Sequence, residues 1–258
     1  MERREFLVGT ALGGAALVAF NANAEDKPAE REIYEHRTYN LLPGGRNGAI
    51  HAFLERAAIP AWNRAGIGPV GVFTGVAGGE WTVLEVLLPH ASLAMYASAA
   101  SALAADAEYA KAGAEFLEAP AYSPQFVRYE TNLMLAFTSM PKLKAPEKKD
   151  RIFELRTYES HSEKFSKKKI EMFNEGGEFA IFLESGLTPV FFGETIAGSR
   201  MPNLTYMVVF DDMLDHDATW AKFVASDKWN ALRVDPQYKD TVSNIRNRIL
   251  RPTAYSQI

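Results

Sequence analysis

Residues 33–39 read IYEHRTY and residues 152–158 read IFELRTY, identical at five of seven positions. A second match follows at almost the same spacing. Gly66-Ile67-Gly68-Pro69-Val70 lines up with Gly186-Leu187-Thr188-Pro189-Val190. Two matches at one spacing of about 120 residues mark a duplicated domain, since solenoid repeats run to only some 20–50 residues.

Working outward from these strings, each copy gives the same order of elements. Residues 33–40 and 152–159 are short β-rich runs. In copy one, Ile50, Phe53, Leu54, Ala57 and Ala61 recur at helical spacing over about 47–65, with Pro60 as a kink and Gly66 as a left-handed C-cap. In copy two the stripe is Phe165, Met172, Phe173, Phe179, Ala180 and Leu183, capped by Gly186. Strand pairs are expected at 69–74 with 81–88, and at 189–194 with 204–210. Helical stretches follow at 92–117 and 218–233, then closing strands at 126–135 and 242–250. The order β-α-β-β-α-β, twice, predicts an α+β fold of two tandem ferredoxin-like repeats. One such sheet has a helix-covered face and a bare face. The bare faces of two copies in one chain are natural partners, giving two sheets around a barrel-like space with helices outside.

Residues 139–150, SMPKLKAPEKKD, carry two prolines and four lysines and read as a solvated linker between repeats at 25–138 and 151–258. Residues 1–24 read as an address. Arg3 and Arg4 precede Glu5-Phe6-Leu7, the run Leu7 to Phe20 is uncharged, and Ala22-Asn23-Ala24 gives a small-x-small pattern that places cleavage after Ala24. The apolar run of 14 residues spans about 21 Å as a helix, short of a roughly 30 Å hydrocarbon core. The paired arginines resemble a twin-arginine export signal. The expected location is therefore periplasmic or extracellular, with no membrane span after cleavage.

Composition bounds the chemistry. The chain has 258 residues, 47% hydrophobic and 23% charged, an ordinary globular balance. Cysteine is absent, which removes disulfides, thiolate metal sites and cysteine nucleophiles. A net charge of −4 disfavours a broad nucleic-acid face. No two of His36, His51, His90, His161 and His216 are three or four residues apart, so no helical histidine pair exists. No metal and no cofactor is expected.

The openings YEHRTY and FELRTY, the segment Phe223…Asp227-Lys228-Trp229 and the run Asn247-Arg248-Ile249-Leu250-Arg251-Pro252 resemble the NIPSNAP family, within the dimeric α/β-barrel superfamily. The resemblance covers nearly all of 32–256. Copy one departs from it, with His36 at a usually apolar position and a longer alanine-rich second helix. The resemblance implies a tandem form of a barrel that relatives build from two chains. It implies no defined biochemical role. Superfamily relatives that bind haem do so through a histidine.

With period two, Glu35, Arg37 and Tyr39 share a strand face, as do Glu154, Arg156 and Tyr158. The opposite face holds Tyr34, His36 and Thr38 in copy one, and Phe153, Leu155 and Thr157 in copy two. The latter set is the more apolar and is expected to meet the helices. The Glu-Arg-Tyr sets would then point between the sheets as candidates for binding a small polar or anionic ligand. The competing reading is a structural Glu–Arg ion pair. The acidic cluster Asp211, Asp212, Asp215, His216 and Asp217 reads as a helix cap through Asp215 or Asp217 rather than a calcium loop. Lys167-Lys168-Lys169 reads as a solvated helix face. The glycines at 44–48 and 75–79 read as turns, not phosphate loops.

The function these features favour is an exported binding or structural module with a small-molecule pocket between its sheets. A homo-oligomer is compatible with it. The alternative is a cofactor-free monooxygenase-like or other small-molecule enzyme of the same superfamily. An exposed apolar patch on a helix layer would point instead to a protein-interaction domain.

Overall fold

The computed structural model describes residues 30–44, 47–77 and 83–258. The candidate export segment lies outside them. Copy one runs β1 (Ile33–Asn40), α1 (Gly48–Phe53), α2 (Ile59–Arg64), β2 (Gly71–Ala77), β3 (Val83–His90), α3 (Leu93–Ala104), α4 (Ala107–Leu117) and β4 (Arg128–Ala136). Copy two runs β5 (Ile152–Glu159), α5 (Glu163–Asn174), α6 (Glu178–Glu184), β6 (Thr188–Ala197), β7 (Asn203–Phe210), α7 (Met213–Ala225), α8 (Asp227–Leu232) and β8 (Asn244–Pro252).

The eight strands close into one antiparallel barrel in the order β1-β3-β2-β8-β5-β7-β6-β4. Each repeat contributes a four-strand sheet, and the seams between repeats are β2–β8 and β4–β6. Closure leaves no strand edge unpaired, which a lone four-strand sheet cannot achieve. The expected pair of facing sheets is thus one continuous sheet.

The helices differ from expectation where backbone chemistry intervenes. A π-helical turn, Leu54–Ala58, lies between α1 and α2, just ahead of Pro60. A wider i→i+5 turn accommodates the N–H that proline lacks, so the chain continues where a plain helix would break. The long second helix of copy one is cut after Ala104, and Asp106 caps the next segment by accepting from Tyr109 N. In copy two the equivalent helix begins earlier, at Met213. Its cap is Asp212, accepting from Leu214 N and Asp215 N, rather than Asp215 or Asp217. Gly66 (φ 78°) and Gly186 (φ 92°) take the left-handed conformation expected of them.

Three cores result. Ile50, Leu54, Trp62, Val72, Leu84 and Val86 pack the helices of copy one on the outside of the barrel. Phe173, Phe182, Phe192, Tyr206 and Phe223 do so in copy two. Tyr34, Phe73, Leu87, Phe153, Phe191, Met207 and Leu250 fill part of the barrel interior, with Ile258 packed against them. Residues 139–150 form no helix or strand, yet they are not a free tether. Met140 is buried in the copy-two core, Leu143 N donates to Glu32 Oε2 at 2.7 Å, and Lys144 N donates to Val190 O at 2.9 Å.

Candidate functional site

The inward-facing residues change character along the barrel axis. On β1 they run Tyr34, His36, Thr38; on β5, Phe153, Leu155, Thr157. On the antiparallel neighbours they run Glu85, Leu87 on β3, Asn132, Met134 on β4, Thr205, Met207 on β7 and Arg248, Leu250 on β8. Register therefore gathers the apolar ends into one half of the interior and the polar ends into the other. The apolar half is solid core. The polar half leaves a cavity of about 370 Å³, within the usual range for ligand pockets.

His36, Thr38, Glu130, Asn132, Arg200 and Arg248 are among its lining residues, with Arg246 at the same mouth. Directly behind them lies Glu85, 1% exposed. Its carboxylate accepts from Thr38 Oγ1 at 2.7 Å and from Arg248 Nη1, and His36 Nε2 lies 2.8 Å away. Burial alone would raise the Glu85 pKa; His36, Arg248 and Thr38 outweigh it and hold it below the ordinary 4.5. Such a group stabilises the fold fully above the unfolded-state value, and that contribution is lost as pH falls through the folded-state value. The melting temperature should thus drop as pH is lowered below about 4.5, and Glu85→Gln should flatten this acid limb. An acid limb of unchanged steepness in Glu85→Gln would place the titrating group elsewhere.

The mouth is asymmetric between repeats. His36 occupies the register of Leu155, and Glu85 that of Thr205. Near the rim, Arg200 sits in a left-handed turn (φ 57°), and Asn132 Oδ1 accepts from Ser199 N at 2.8 Å. Arg200 and Arg246 take part in no ion pair among the described residues.

The Glu-Arg-Tyr sets lie on the other face of their strands, beneath the helices, and not in the barrel interior. Tyr39 belongs to the copy-one outer core and Tyr158 to the copy-two outer core. The expected parity is reversed because Phe153 and Leu155 are apolar for a different reason: they belong to the packed half of the barrel. The Glu–Arg pairs survive under the helices because each buried carboxylate meets its arginine and at least one further side chain. Arg37 Nε donates to Glu35 Oε1 at 2.5 Å, and His90 Nε2 lies 3.0 Å from Glu35 Oε2. Arg156 Nη1 donates to Glu154 Oε1 at 2.9 Å, and Trp220 Nε1 donates to Glu154 Oε2 at 2.8 Å. Burial pushes the Glu35 pKa up, but His90 and Arg37 pull it below its ordinary value. The two sets are not brought together into one site.

Sequence reading gave no site role to Asn132, Arg246 or Arg248. The available signal was the inward positions of several strands, which switch from polar to apolar at the same height.

A closed antiparallel barrel built from two split β-α-β units with helices outside is the dimeric α/β-barrel architecture in a single chain. The chain belongs to the NIPSNAP family, whose family model matches twice, at residues 34–138 and 153–257. A Lactobacillus acidophilus protein described as a "putative monooxygenase" has the same fold, with a TM-score of 0.58 at 11% identity over 86% of this chain and 94% of its own. A Fusobacterium nucleatum protein so described gives 0.57 at 11% identity, over 87% and 93%. A NIPSNAP family protein of Agrobacterium tumefaciens is 23% identical over 41% of this chain and 96% of its own, with a TM-score of 0.37. No curated protein matches.

Proposed function

We propose that this NIPSNAP chain is a binding module that holds a small polar molecule with an anionic group in the mouth of its barrel. The observation that carries this reading is the polar half of the interior. There, Arg200, Arg246 and Arg248 converge on a cavity of about 370 Å³ with a buried carboxylate behind it. Arg248 is committed to Glu85, while Arg200 and Arg246 are free among the described residues to grip an anion as forked donors. Export to the periplasm or beyond, drawn from residues 1–24, belongs to the same reading and would make the ligand an extracytoplasmic one.

Calorimetric titration with small mono- and dicarboxylates and inorganic phosphate tests it. At least one anion should saturate, and Arg246→Ala and Arg200→Ala should each weaken it about tenfold, the effect of losing one charge-assisted contact. No saturable anion, or saturation indifferent to both substitutions, sinks the reading.

A second reading is a cofactor-free monooxygenase-like enzyme, and one observation favours it. His36 and the buried Glu85 form a titratable pair at the cavity wall, the arrangement a general base needs. It requires oxygen uptake with an organic substrate that is lost in His36→Ala while the fold persists.

A further inference from the structure

The two repeats are each other's control, and one of their differences beneath the helices opens a cavity. Helices α3 and α7 start from equivalent caps, Ser92 and Asp212. Eight positions on stand Ala100 and Trp220; four positions on stand Tyr96 and His216. In copy two the Trp220 ring lies 4.6 Å from the Arg156 guanidinium, and its Nε1 donates to Glu154 at 2.8 Å. Glu154 also accepts from Asn247 at 3.2 Å, and His216 Nε2 lies 3.2 Å from it. In copy one α3 brings no indole to this position, and the ring nearest Arg37 is that of Trp62 on α2, 5.4 Å away. A cavity of about 260 Å³ stands over Arg37, walled by Glu35, Trp62, Tyr96, Tyr129 and Ala100.

We infer that this copy-one cavity binds a small planar heteroaromatic molecule carrying an N–H or O–H donor, in the place Trp220 fills in copy two. Four features define the ligand. The guanidinium of Arg37 already sits near aromatic faces, 5.4 Å from Trp62 and 5.5 Å from Tyr129, so a ring stacked on it continues an existing pattern. Glu35, 3% exposed, receives only Arg37 and His90 among the described residues, whereas Glu154 has four partners; an acceptor is left for a ligand donor. The Glu35–Arg37 pair neutralises itself, so the fitting ligand is neutral rather than anionic. The volume lies below the usual pocket range, which suits one or two fused rings. The site is separate from the barrel mouth, on the opposite face of β1.

Fluorine NMR with a fluoroindole probe on the full chain tests this. The probe should show saturable binding to the wild type. Ala100→Trp, which restores the copy-two residue, should weaken it at least tenfold with an unchanged circular dichroism spectrum. Ala97→Phe, at the exposed rim of the same cavity, should weaken it as well and serves should Ala100→Trp fail to fold. Arg246→Ala should leave it unaltered, which separates this site from the mouth. Absence of saturable binding at millimolar probe, retention of full affinity in a folded Ala100→Trp or Ala97→Phe, or loss in Arg246→Ala would overturn the inference.

Discussion

Lys169→Ala should destabilise the protein by about 3–5 kcal/mol, the cost of leaving a buried charge without its partner. Lys169 and Glu178 are 4% and 1% exposed, and Nζ donates to Glu178 Oε2 at 2.6 Å. The ammonium also lies 4.7 Å from the Phe173 ring and 5.5 Å from Tyr158, so it gains cation–π attraction in a dry site. Burial pushes the Glu178 pKa above its ordinary value, and Lys169 pulls it back. Without Lys169 the carboxyl takes up a proton more readily. A group with a raised folded-state pKa loses stability as pH rises. The deficit of Lys169→Ala should therefore be smallest in acid and widen toward neutral pH. Replacing both residues, as Lys169→Met with Glu178→Leu, should be close to neutral. Copy one supports this, since Ala49 and Ala58 stand at the equivalent positions. Urea melts at acid and neutral pH decide it, and a single-variant loss under about 1 kcal/mol would show that the pair is solvated.

Glu154→Ala should cost a similar amount, about 3–5 kcal/mol, and more than Glu35→Ala. Glu154 is fully buried and holds Arg156, Asn247, Trp220 and His216. Its removal leaves the Arg156 guanidinium and the Trp220 N–H without an acceptor, each in a largely dry setting. Glu35 holds Arg37 and His90, and the cavity beside it admits water to the freed groups. Glu35→Ala should cost about 1.5–3 kcal/mol, the range for hydrogen bonds to a charged group. Paired thermal and denaturant melts give the difference directly. Equal losses in the two variants would mean that the repeats are energetically equivalent and that the copy-one cavity is not wet.

Both expectations come from divergence inside a duplicated fold. Copy two fills the space beneath its helices with its own charged and aromatic groups: Lys169, Glu178, Trp220 and the hydrogen-bonded pair Tyr158–Tyr206, whose hydroxyls are 2.8 Å apart. Copy one keeps Tyr39 at the position of Tyr158, places alanine at those of Lys169, Glu178 and Trp220 and valine at that of Tyr206, and has an open pocket. Inside the barrel the division is reversed. His36 and Glu85 come from copy one, while copy two contributes Leu155 and Thr205 in their registers. A chain with two identical copies would have neither asymmetry. The mouth and the outer pocket both depend on substitutions that single-sheet symmetry does not require.

The sequence by itself determined the duplication, the order β-α-β-β-α-β and the caps at Gly66 and Gly186. These are one-dimensional properties, carried by repeat spacing, hydrophobic period and local backbone preference. It also determined which residues share a strand face, because period two is geometric. Which face turns inward was decided only by tertiary structure. Both faces of these strands are buried, one under helices and one inside the barrel, so hydrophobicity cannot tell them apart; Phe153 and Leu155 suit either. The fate of Lys167-Lys168-Lys169 was settled the same way. Successive helical residues turn by about 100°, so a run of three cannot stay on one face. Lys169 is carried inward while Lys167 remains in solvent. The mouth was least legible of all. Glu85 and Arg248 stand 163 residues apart, in different repeats, and only closure of the barrel sets one beside the other.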